Sequence, residues 1–328
     1  MTQKVLVTGV SGYLGQWVAA EALLQGFDVV GTVRSLAKAD ASRAAIGTVA
    51  PVEHLSFVEA DLLDDAGWEA AMIGVNVVLH VASPFFVAEP KDENELIAPA
   101  VGGTTRVLKA AMNAGVERVV LTSSIVAMTS GKPSGTYDTS AWSDVTAPIG
   151  TYAKSKTLAE RAAWDLVKGS SMELVVVCPG FILGPSLGAP ADGQSVSMMR
   201  DIVGGKFPMI PDVAMGMVDV RDVARLEVAA ISAPGAAGRR FVAASAQPVA
   251  LSQLASVLRA AGYTKAPARK APNFAIKLMS LFDKDAKSLL PQLGVTIAYD
   301  NHETFEELGW QPTPLEVTFV EMAAAVAK

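Results

Sequence analysis

The stretch TYAKSK, residues 151–156, places Tyr152 and Lys156 at i and i+4, so on a helix the two share a face. A free tyrosine, with a pKa near ~10, is a poor acid–base group at neutral pH. A neighbouring ammonium favours the phenolate and lowers that pKa. Such a tyrosine can give a proton to a carbonyl oxygen as hydride reaches the carbon. An exposed Tyr and Lys on a surface helix would look the same, so the pair needs support from elsewhere. RVVLTSSIVAM supplies some: an apolar run that ends in Thr122, Ser123 and Ser124. In α/β sheets ligands bind beyond the carboxyl ends of the strands, and a serine there can hydrogen-bond a substrate oxygen. Neighbouring strand residues point to opposite faces, so only one of Ser123 and Ser124 can face the tyrosine.

Near the amino terminus, VLVTGVSGYLGQWV carries Gly9, Gly12 and Gly15 between a strand-like run and a helix-like one. Glycines there allow a tight turn and close backbone approach to a pyrophosphate, and a helix N-terminus offers it free N–H groups. The next strand-like run, DVVGTVR, ends in Arg34, with Lys38 four residues on. An NAD site usually puts a carboxylate there, on the ribose hydroxyls. Two cations in its place suit the 2′-phosphate of NADPH, although a solvated basic turn would also read this way. Asp61 closes the third run, where it could accept from the adenine amino group or cap the next helix, as could Asp64 or Asp65.

These residues need a scaffold. KVLVTG, DVVGTVR, LSFVEAD, VNVVLHVA, RVVLTSS and ELVVVCPG are short β-branched runs separated by segments of helical spacing. Continuous apolar strands imply burial on both faces, as in a parallel sheet, and the alternation reads as repeated βαβ units. The expectation is a Rossmann-type, doubly wound α/β sheet over residues 1–180. A smaller, mostly helical substrate lobe is expected over 181–328, where Gly and Pro become frequent, with some segments returning to the sheet.

Composition removes other classes. The chain is 51% hydrophobic and 18% charged with a net charge of -6, and shows no basic patch for nucleic acid. Its apolar runs are too short to span a bilayer, and the N-terminus enters a strand-like run at once; a cytoplasmic protein is the expectation. Cys178 stands alone in an apolar run, and His54, His80 and His302 share no ligand spacing, so no metal site is expected. A Ser-His-Asp hydrolase is disfavoured because GxSxG is absent.

With these residues in view, the sequence resembles the extended short-chain dehydrogenase/reductases, in the group of dihydroflavonol 4-reductase, cinnamoyl-CoA reductase and yeast methylglyoxal (isovaleraldehyde) reductase. The matching segments include VTGVSGYLG, TVRSLAKA, ADLLDD, VLHVASPF, LTSSIVAM, YAKSKTLAE, CPGFILGP, VDVRDVA and LGWQP, in family order over nearly the whole chain. The resemblance implies Ser124, Tyr152 and Lys156 as the catalytic set of an NADPH-dependent carbonyl reductase, reversibly an alcohol dehydrogenase. It implies Gly9, Gly12, Tyr13, Leu14 and Gly15 along the pyrophosphate, and Arg34 and Lys38 on the 2′-phosphate. Asp61 and Leu62 would flank adenine. Val81, Ala82 and Ser83 would run along the cofactor, with Pro179 and Ile182 near the nicotinamide, whose ribose Lys156 would also hold.

Phe85, Phe86, Ile125, Val126 and Phe181 fall on segments that the resemblance places around the substrate. Core packing is the plainer reading of each; together they suggest an apolar aldehyde or ketone. Ala100 stands where many relatives carry an asparagine of a proton relay, so a relay here needs water or another donor. VDVRDVA and LGWQP read as structural. Rival readings are a sugar-nucleotide epimerase or dehydratase of the same fold and a non-enzymatic NADP(H) sensor. The partner expected is a small carbonyl or alcohol substrate, with the protein a monomer or homodimer.

Overall fold

The computed structural model describes residues 3–84, 92–188, 193–282 and 290–327. Its centre is a seven-stranded parallel sheet. The strand order is Arg240–Ala243, Glu173–Pro179, Arg118–Thr122, Val77–His80, Lys4–Val7, Asp28–Val33, Leu55–Glu59. The sequence order reverses direction at Lys4–Val7, so the crevice outside the carboxyl ends of the strands Lys4–Val7 and Val77–His80 is where this topology binds ligands.

Side chains alternate across the sheet and feed two cores. Val5, Val7, Val120 and Val177 pack beneath the helices Tyr13–Leu24 and Val220–Ala229. Leu6, Val119, Leu121 and Val176 pack on the other face, beneath Asn94–Asn113 and Thr151–Val167. Burial on both faces explains why these strands read as unbroken apolar runs rather than as alternating ones.

A third core joins three further helices. Val196, Met199 and Ile202 of Gln194–Gly204 meet Leu254 and Leu258 of Leu251–Ala260 and Phe319 and Met322 of Leu315–Val326. The chain does not divide once into sheet and lobe. Val220–Ala229 packs on the opening helix, and Arg240–Ala243 extends the sheet beside Glu173–Pro179.

VDVRDVA joins the layers. Asp219 caps the helix Val220–Ala229, binds the Arg221 guanidinium at 2.7 Å and accepts from the Thr318 hydroxyl at 2.7 Å. Arg221 also pairs with Glu321 at 2.6 Å. Among the described residues no helix is long and apolar enough to cross a membrane, and no cluster of His, Cys, Asp or Glu could hold a metal ion.

Candidate active site

The glycine turn follows the strand Lys4–Val7. Gly9 has φ +67°, and a Cβ there would lie 3.0 Å from that of Ala82. A Cβ on Gly15 would lie 2.3 Å from the Gly9 carbonyl oxygen, so no side chain fits while the turn keeps its shape. Gly12 begins the helix Tyr13–Leu24 with no side-chain cap. The first-turn N–H groups are therefore left for a ligand, the arrangement that suits a phosphate.

Two threonines fix the cradle. Thr32 accepts from the Gly9 N–H at 3.1 Å. Thr8 accepts from the Ala82 N–H at 2.9 Å and shares a 2.9 Å hydrogen bond with His80 Nδ1. The segment Val81–Ser83 is thereby held against the glycines.

The other expected dinucleotide residues are placed as follows. Arg34 and Lys38 are exposed, and neither forms an ion pair among the described residues. Asp61 is half-buried, and its Oδ1 accepts from the Leu63 N–H at 3.0 Å. Gly67, not an aspartate, caps the next helix, Trp68–Ala71. Leu62 is half-buried against Gly103. Two expected pyrophosphate residues serve packing with their side chains. Leu14 is buried in the core, and the Tyr13 hydroxyl donates to the Gly184 carbonyl at 2.7 Å. Trp17 donates to Pro185 at 2.9 Å, so the opening helix is tied twice to the segment that leaves the sheet.

At the carboxyl end of Arg118–Thr122, three consecutive side chains part company. Thr122 points to one face and donates to Glu227. Ser123 points to the other face and donates to Glu160, which forms a buried pair with Arg240 at 2.7 Å. Ser124 lies past the strand and hydrogen-bonds the Tyr152 hydroxyl. Ser124, not Ser123, is therefore the serine beside the tyrosine.

Tyr152 and Lys156 share a face of the helix Thr151–Val167, as their spacing predicts, but their electrostatics differ from expectation. Burial pushes the Tyr152 phenol up to about 12, and the hydrogen bond to Ser124 only partly opposes this. The predicted lowering by Lys156 does not appear. The ammonium donates instead to the Thr122 carbonyl oxygen at 3.2 Å. Burial pulls Lys156 itself down to about 8, against the opposing fields of Glu227, Glu160 and Cys178.

Burial also pushes the Cys178 thiol up to about 12, which makes it an inert core group. His80 is buried and pushed down to about 3 by burial and by the Lys156 charge, so it is neutral. A cavity of about 10 Å³, lined by Ser83, Thr104, Thr122, Ser123, Lys156 and Glu160, adjoins the ammonium. Ala82, Leu121 and Ala159 complete its lining, and its size is on the scale of one water molecule. Ala100 is buried in the helix Asn94–Asn113 and has no polar side chain to offer.

Of the expected substrate residues, Phe85 and Phe86 lie outside the described residues. Ile125 is 7% exposed and packs in the sheet core, next in sequence to Ser124. Val126 and Phe181 are half-buried. Phe181 packs against the third core, and Ile182 against the core beneath the opening helix. The Pro179 carbonyl accepts from the Ile125 N–H at 3.0 Å.

Sequence reasoning assigned no role to Thr8, Thr32, Thr122, His80 or Glu227. Thr8, Thr122 and His80 stand at strand ends in motifs already quoted, which was the available signal. Nothing in the local sequence marks Glu227, which arrives from a distant helix.

Comparison with known proteins identifies the family and the fold. Residues 5–244 match the family described as "NAD dependent epimerase/dehydratase family". Tetraketide alpha-pyrone reductase 1 of Arabidopsis thaliana is 33% identical over 78% of this chain and 80% of its own length. Cinnamoyl-CoA reductase 1 of the same plant is 36% identical over 75% of this chain and 71% of its own. Two solved structures superpose over nearly their whole length. Yeast methylglyoxal/isovaleraldehyde reductase Gre2 complexed with NADPH gives a TM-score of 0.83 at 23% identity, covering 99% of this chain and 98% of that one. Gre2 of Candida albicans in complex with NADPH gives 0.81 at 26% identity, with the same coverage.

Proposed function

Since the chain belongs to the NAD dependent epimerase/dehydratase family and is an oxidoreductase, we propose that it is an NADPH-dependent carbonyl reductase acting on an apolar aldehyde or ketone. The observation that carries this reading is the Ser124–Tyr152 hydrogen bond, one helical turn from Lys156, at the strand ends that adjoin the glycine cradle. The cradle fits a dinucleotide: uncapped N–H groups face it, and the space a Gly15 side chain would need is already filled. The 2′-phosphate falls to Arg34 and Lys38, exposed at the end of the second strand.

When bound, NADPH supplies the hydride. The chain supplies the proton and orients the carbonyl. Ser124 and Tyr152 hydrogen-bond the substrate oxygen from adjacent positions. A phenol held near 12 stays protonated throughout the neutral range, the state a proton donor needs. The Lys156 ammonium acts later than a lowered resting pKa would imply. It stabilises the phenolate that forms as the proton leaves, so its effect is concentrated in the transition state. Val126 and Phe181, both half-buried, give the substrate side an apolar edge.

The test is a panel of aldehydes and ketones followed by NADPH absorbance. Turnover with apolar carbonyls, and exchange of the cofactor at each cycle, are expected. Tightly retained nicotinamide and no turnover of any carbonyl would favour the epimerase or dehydratase chemistry found elsewhere in the family.

A further inference from the structure

Glu227 sits on Val220–Ala229, the helix on the opposite face of the sheet from Lys156, and is fully buried. Its Oε1 accepts from the Thr122 hydroxyl at 2.5 Å, while the Thr122 carbonyl accepts from the Lys156 ammonium at 3.2 Å. One strand-end residue therefore bridges a carboxyl on one face and an ammonium on the other. Glu227 Oε2 has no hydrogen-bond partner among the described residues. A buried carboxyl with an unmet oxygen is costly to keep. Its position behind the active-site lysine gives it something to do.

We propose that Glu227 is a positioning residue which, through Thr122, holds the Lys156 side chain in place and keeps it charged as pH rises. The proposal rests on the reading of Lys156 as part of the reaction. Burial pushes Glu227 up to about 8, opposed by its bond to Thr122 and by the Lys156 charge. Lys156 is pulled down into the same range. As pH climbs, the carboxyl ionises where the ammonium would otherwise lose its proton, and the new negative charge retains it. The other charged or titratable groups facing this pair are Glu160 and Cys178, which bear on Lys156 from its own helix and from the strand Glu173–Pro179. His80 faces it from the end of Val77–His80 and is held neutral. Glu160 is already engaged by Arg240 and Ser123. Glu227 is the member of the set bridged to Lys156 through one residue.

The test compares wild type, Glu227→Gln and Glu227→Asp. Gln keeps the shape and an acceptor for Thr122 but cannot ionise; Asp keeps the charge on a shorter stem. Lysines labelled with ¹³C at Cε are titrated by NMR, and the Lys156 signal is identified by its loss in Lys156→Arg. The Lys156 midpoint should fall by about one unit or more in Glu227→Gln, and by less in Glu227→Asp. The alkaline limb of kcat for the best substrate of the carbonyl panel should move to lower pH in the same order. Unchanged midpoints in both folded variants would overturn the proposal. If Glu227→Gln does not fold, Glu227→Asp alone decides: a lowered midpoint supports the proposal and an unchanged one ends it. Tyr152→Phe separates the two readings. A fully active Tyr152→Phe defeats the proposed reaction, while the NMR comparison still judges the link between Glu227 and Lys156.

Discussion

At the glycine turn the protein presents backbone to the proposed cofactor, and the nearby cations Arg34 and Lys38 stand in solvent. At the tyrosine it presents side chains withdrawn from water: Ser124 and Lys156 are buried, and burial is the largest influence on both Tyr152 and Lys156. On the proposed reading one end works by shape and by screened charge, the other by charge in a low dielectric. Substitutions at the first should act through cofactor affinity and respond to salt. Those at the second should act through turnover and respond to pH.

The largest effect should come from the cradle. Gly15→Val places a branched side chain where even a Cβ would meet the Gly9 carbonyl at 2.3 Å. We expect loss of measurable NADPH binding by fluorescence titration, with circular dichroism reporting whether the fold survives. A fully functional Gly15→Val protein would remove the shape argument.

The two serines come next. Ser124→Ala should lower kcat by about 10²-fold, the scale of one lost donor to a reacting oxygen, with little change in melting temperature. Ser123→Ala should do the opposite, because it removes a partner from the buried Glu160–Arg240 pair. Its cost should appear in the melting temperature. The reverse assignment of effects would mean that the catalytic face has been misread.

Arg34→Ala should weaken NADPH by roughly ten- to a hundred-fold and leave NADH nearly unchanged. The wild-type preference should shrink as salt rises. The measurement is kcat/KM for both cofactors at low and high salt. Equal use of NADH by the wild type would return Arg34 and Lys38 to a solvated turn.

The smallest effect concerns stability. Glu227 titrates near 8 in the folded protein and near ~4.3 unfolded. Between those values the folded state holds the extra proton, so stability is lost as pH rises through that window. Glu227→Gln removes this dependence. Its urea midpoint should be close to wild type at pH 5 and higher than wild type at pH 7. A gap that does not widen with pH would show that Glu227 is not a raised acid.

The two ends also differed in how far the sequence disclosed them. Gly9, Gly12 and Gly15 were legible because they fall between a strand-like run and a helix-like one, and the parallel sheet was legible because its strands are apolar throughout. Tyr152 and Lys156 were legible as a helical pair. The choice of Ser124 over Ser123 came only from the family resemblance and needed the geometry of the strand end. The direction of the Tyr152 shift was misjudged because spacing reports neighbours and not depth: burial raises the phenol, and only the hydrogen bond to Ser124 opposes it. Glu227 was out of reach because it lies 71 positions from Lys156 in the chain (227 − 156) and meets it only across the sheet.

The account stands most directly on Tyr152→Phe, which deletes one hydroxyl and leaves the helix and Lys156 in place. The measurement is single-turnover oxidation of bound NADPH by the best carbonyl of the panel, alongside NADPH affinity. We predict near-normal affinity and a rate lower by at least about 10²-fold. Near-normal single-turnover rates, with chemistry shown to be the slow step, would contradict it.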